Sequence, residues 1–81
     1  MYKNRASNGR NNVVGVKMRA LRKAMKNNVS QRELALMLQV AGLDVDKNAV
    51  QRMESGQRFI TDVELRTIAL VFDVSFDELL G

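Results

Sequence analysis

The chain has 81 residues, of which 46% are hydrophobic, with 5 glycines, no proline, a formal net charge of +4 and a pI near 10.0. That length bounds it to one small domain, and few breakers beside many helix formers favour an all-α core of Leu, Val, Ile, Met and Ala. Cys and His are both absent, so no disulfide framework or soft metal site can form, and no run of ~18 apolar residues exists to span a membrane.

MYKNRASNGRNNVV also lacks the apolar stretch of a signal peptide. A cytoplasmic protein without metal or cofactor is therefore expected. Residues 1–12 are polar, basic and Asn-rich, with nothing to bury. They read as a flexible basic arm ahead of a domain over 13–81. Lys3, Arg5 and Arg10 would suit a polyanionic surface such as a nucleic-acid minor groove. The periodic pattern begins at Val14. Val14, Met18, Leu21 and Met25 line one helical face, and Lys17, Arg19, Lys23 and Lys26 the other. Asn27-Asn28 is the expected stop.

Charge divides along the chain as well. The first 32 residues hold nine Lys or Arg and no acid, whereas Glu33 onward holds four basic residues and nine acidic ones. A split of this kind suits a polyanionic partner met by one side of the molecule.

Ser30-Gln31-Arg32-Glu33 fits a capping box, opening a second helix with Leu34, Ala35, Leu38 and Ala41 inward and Gly42 at its end. Leu43-Asp44-Val45 reads as a turn. Asp46 is the expected cap of a third helix over 47–55, with Asp44 the alternative if that helix starts early; Gly56 ends it. Thr61-Asp62-Val63-Glu64 is a second box, before Leu65, Ile68, Ala69 and Phe72. Ser75-Phe76-Asp77-Glu78 is a third, before a short last helix with Phe76, Leu79 and Leu80 available for packing. The result is five short helices.

On a helical wheel the third helix divides cleanly. Ala49, Val50 and Met53 fall inward, and Lys47, Asn48, Gln51, Arg52 and Ser55 fall outward. Arg and Lys suit guanine O6/N7, and Asn and Gln suit adenine N6/N7. A helix from Ser30, a glycine at 42 and a new cap at 46 form a helix-turn-helix, whose second helix enters the major groove of double-stranded DNA.

The blocks VSQRELALML, AVQRMESGQRFIT and ELRTIALVFDVSFDELL resemble, in order and over residues 13–81, the Cro and lambda-repressor-like helix-turn-helix family, also called the XRE family. One departure is a longer stretch between Leu34-Ala35 and Glu54 than members usually have, read as added length on helix two and its following turn. The resemblance implies a lambda-repressor-like all-α domain with the helix-turn-helix at helices two and three. It implies base contacts from Lys47 and Asn48, base or phosphate contacts from Gln51 and Arg52, and phosphate contacts from Gln31, Arg58 and, more weakly, Arg32. Glu54 would be structural, pairing with Arg22 (Arg19 second), and Gly56 would have positive φ.

The implied function is sequence-specific transcriptional regulation, as a small repressor dimerising through the last two helices around Phe76, Leu79 and Leu80. A protein–protein interaction module on the same fold, antitoxin-like or coactivator-like, is the alternative, and a non-specific nucleic-acid binder a third. No enzyme is expected. There is no phosphate loop or convincing acid pair, and the acidic pairs Asp44/Asp46 and Asp77/Glu78 suit turns and caps.

Overall fold

The computed structural model of the chain describes residues 12–25 and 28–80. They form five helices: α1 (Gly15–Ala24), α2 (Gln31–Val40), α3 (Lys47–Ser55), α4 (Asp62–Phe72) and α5 (Phe76–Leu80), and no strand occurs among the described residues. Residues 1–11 of the arm expected over 1–12 lie outside them.

Local chemistry sets most of these boundaries. Ser30 Oγ accepts from the Glu33 N–H and the Glu33 carboxylate accepts from the Ser30 N–H, both at 3.1 Å. Thr61 and Glu64 repeat this box at 2.9 and 3.2 Å. Each such cap stabilises its helix by about 1 kcal/mol. At Ser75 the hydroxyl accepts from the Glu78 N–H at 3.2 Å, which is one half of the expected box. Gly56 closes α3 at φ 80°, a left-handed conformation that a Cβ would penalise.

α1 ends earlier than its apolar pattern implies. Helical hydrogen bonding stops at Ala24, and Met25 is already extended, with φ −67° and ψ 150°. Asn28 does adopt the left-handed conformation, at φ 52°. Ala41, expected inward, is exposed, because it is the C-cap of α2 and lies past the stripe formed by Leu34, Ala35 and Leu38. Phe72 is only half-buried, packed against the edge of the core.

α3 packs against both α1 and α2, while α4 covers α2 and carries α5. Val14, Met18, Leu34, Leu38, Val50, Met53, Ile60 and Ile68 are all 0% exposed. Burying one such side chain contributes on the order of 1.5–3 kcal/mol. Val50 and Met53 sit on the inner face of α3, so the core itself holds that helix and fixes which face it turns outward. No helix among the described residues is long and apolar enough to cross a membrane.

Candidate nucleic-acid interface

The turn into α3 is longer than a tight helix-turn-helix needs, and it is fastened at several points. Leu43 N–H donates to Leu38 O at 2.9 Å, Val45 N–H to Leu43 O at 3.0 Å, and the Gln39 amide to Val45 O at 2.6 Å. Gly42 turns the chain at φ 101°. Val45 is buried, between exposed Asp44 and Asp46. Asp46, not Asp44, caps α3: its Oδ1 accepts from the Ala49 N–H at 2.8 Å. Lys47 and Asn48 therefore occupy the first turn, where backbone N–H groups lack intrahelical partners.

Lys47, Asn48, Gln51, Arg52 and Ser55 are all exposed, and Ala49, Val50, Met53 and Glu54 are buried. Among the described residues the side chains of Lys47, Asn48, Gln51 and Arg52 have no hydrogen-bond or ion-pair partner. The fold leaves these four groups uncommitted.

Beneath them lies a buried ionic frame. Arg22 Nε donates to Glu54 Oε2 at 2.7 Å and Nη2 to Oε1 at 2.9 Å, a two-point contact between α1 and α3. Nη1 donates to Val29 O at 2.9 Å, which ties the α1–α2 loop to the same group. The hydrogen bond to Glu54 pushes the guanidinium above its ordinary pKa against the lowering effect of burial, so Arg22 stays charged. Arg19, the second candidate, is exposed and does not join the pair.

The Gln31 amide also donates to Glu54, to Oε1 at 3.0 Å. Its expected phosphate contact can then not use that N–H while the bond persists. The backbone N–H groups of Gln31 and Arg32, in the first turn of α2, remain available for an anion. Arg19, Arg22, Gln31, Gln51, Glu54 and Ser55 line an open cleft of about 270 Å³ where α1, α2 and α3 meet. Two guanidiniums against one carboxylate leave it net positive. Arg32 is exposed at the edge of α2.

Arg58 is more committed than its sequence position suggests. Its Nη2 pairs with the Glu64 carboxylate, which also completes the α4 cap, and its Nε donates to Phe59 O at 3.3 Å. It is half-exposed, and a phosphate contact there would compete with Glu64.

One residue that the sequence pattern assigns to the arm belongs to the frame. Asn12 is 0% exposed. Its Oδ1 accepts from the Val14 and Gly15 N–H groups at 3.0 and 2.7 Å, opening α1. Its Nδ2 donates to Met53 O at 3.0 Å and Arg58 O at 2.9 Å, fixing the chain against the end of α3. Nothing local in the sequence marks this role: Asn12 follows Asn11 and precedes Val13-Val14, and its carbonyl partners lie far along the chain.

In α5, Leu79 is only 1% exposed, so it serves the chain's own core and not a partner surface. Phe76 and Leu80 stay partly exposed, lining a groove with Asp62, Leu65 and Arg66. No group of three metal-ligating side chains occurs among the described residues.

A family model described as helix-turn-helix matches residues 18–79. No curated protein and no solved structure matched the chain.

Proposed function

Because the chain belongs to the Cro and lambda-repressor-like, or XRE, helix-turn-helix family of DNA-binding regulatory domains, we propose that it is a sequence-specific transcriptional regulator acting as a small repressor. The observation that carries this is the outer face of α3, where Lys47, Asn48, Gln51 and Arg52 are exposed and unengaged. Folding does not use them, and their chemistry matches base edges in a major groove. Phosphates flanking the groove would be held by the N–H groups that open α2, by the positive cleft at Arg19 and Arg22, by Arg32, and by Arg58 when it exchanges Glu64 for DNA. Its place of action would be the cytoplasm, where such DNA lies.

Phe76 and Leu80, flanked by Asp62 and Arg66, suit a two-fold contact in which each acid meets the partner's base. Two α3 helices would then read half-sites one helical turn apart. Random-site selection with the full chain tests both ideas. The expected result is a defined consensus arranged as an inverted repeat. Asn48→Ala with Arg52→Ala should relax the preference, at ~1–3 kcal/mol for each bidentate pair removed. An unchanged consensus in that double variant would remove α3 from the reading.

Asn12 itself sits beside the end of α3, and a chain of eleven residues can extend over roughly 35–40 Å. Lys3, Arg5 and Arg10 would then meet the same duplex. Deleting residues 1–11, and keeping Asn12, should weaken binding and flatten its salt dependence by about 0.9 in log–log slope for each phosphate no longer neutralised. Equal affinity and slope would exclude the arm.

A second reading, a protein–protein adaptor on the same fold, rests on one observation. Leu36, Val40 and Leu70 are 54%, 90% and 72% exposed, and Leu36 and Val40 line an apolar groove with Met37 and Val71. That reading gains if site selection returns no consensus.

A further inference from the structure

The extended turn between α2 and α3 holds a carboxylate that the fold does not employ. Glu33 and Glu64 complete capping boxes, Asp46 caps α3, and Glu54 pairs with Arg22. Asp44 is exposed and, among the described residues, its side chain has no hydrogen-bond or ion-pair partner.

Its neighbours in the chain fix where it sits. Val45, next to it, is 5% exposed and turned into the core, so Asp44 and Asp46 flank it on the outer side. Asp46 touches the opening turn of α3 directly. Two residues of extended chain span at most about 7 Å, so Asp44 lies within a side chain's reach of that helix end. The turn cannot swing away freely. Gln39 holds Val45 O at 2.6 Å, and Leu43 is bonded back to Leu38 at 2.9 Å.

A carboxylate kept beside a helix end that faces DNA has two consequences. Next to a phosphate it is repelled, which weakens every complex in which it meets only backbone. Against an exocyclic amine, cytosine N4 or adenine N6, it accepts a hydrogen bond and the penalty is offset. The same group therefore rejects most registers and favours one, which is how repulsive elements sharpen specificity.

We propose that Asp44 is a specificity-determining residue, accepting from an amine-bearing base at the edge of the site read by α3. This rests on the reading of α3 as the base-reading helix. Because Asp44 is exposed and unpaired, its replacement leaves the fold intact, and binding changes can be read directly.

The test compares the full chain with Asp44→Ala and Asp44→Asn. Each would be titrated with the selected duplex, its single-base-pair variants and an arbitrary duplex. Asp44→Ala should lose about tenfold discrimination at one base pair and bind the arbitrary duplex more tightly. Asp44→Asn, which keeps an acceptor oxygen without the charge, should also bind the arbitrary duplex more tightly while retaining part of the discrimination. Undiminished discrimination at every position in Asp44→Ala would overturn the proposal, whatever happens with the arbitrary duplex. If the unmodified chain selects no sequence, the α3 reading has failed, and the Asp44 assignment fails with it. A normal consensus with an indifferent Asp44 variant isolates failure of the assignment alone.

Discussion

Glu54→Ala should remove ~3–5 kcal/mol of folding stability, because it strands the Arg22 guanidinium in a site where its side chain is only 9% exposed. Three interactions end together: both limbs of the Arg22 contact and the Gln31 amide bond. Domains of this size are stable by about 5–15 kcal/mol in total, so the variant should melt at least ~12 °C lower. Added salt should restore little, since the stranded charge is buried and weakly screened.

The informative control is double replacement. Arg22→Met with Glu54→Leu removes the stranded charge along with the pair, and it should recover most of the loss. Urea unfolding of the two variants measures this. A single variant within ~1 kcal/mol of the unmodified chain would contradict a buried ionic frame.

The second large effect is expected at Asn12. Asn12→Ala deprives two N–H groups and two carbonyls of their partner. A buried polar group left unsatisfied costs roughly 1–3 kcal/mol, and partial hydration will relieve some of the four, so the loss should be ~2–4 kcal/mol. Asn12→Asp should do no better. It can still open α1, but it aims a carboxylate oxygen at Met53 O and Arg58 O, where donors are needed. Chemical denaturation of both variants, beside the chain lacking residues 1–11, separates the anchor from what precedes it. If the shortened chain and Asn12→Ala prove equally unstable, Asn12 has no special role.

These two sites differ in how far the sequence alone exposes them. Asp46, Ser30 and Thr61 act on N–H groups three residues away, so caps and helix starts are legible in short windows. The inward and outward faces of α3 follow from helical periodicity and hold without exception from Lys47 to Met53. The Arg22–Glu54 pair spans 32 residues and is visible in the sequence only through the family pattern.

Asn12 reaches across 41 and 46 residues, and no local rule distinguishes it from the other asparagines beside it. The Arg58–Glu64 pair is hidden for another reason: Glu64 already has a complete explanation as a capping residue. Leu79 packs inward and not onto a partner, and spacing alone does not choose between the two for a residue in a short terminal helix.

The division of α3 has an evolutionary consequence. Its inner residues and Glu54 hold the helix in place, while Lys47, Asn48, Gln51 and Arg52 support nothing inside the molecule. Exchanges among polar residues at these four positions should shift stability by no more than ~0.5 kcal/mol. With α3 as the proposed base-reading helix, a lineage carrying this scaffold could change its target DNA one base pair at a time without passing through unfolded intermediates. The same separation makes the four positions a natural randomised library, with the rest of the chain left as it is.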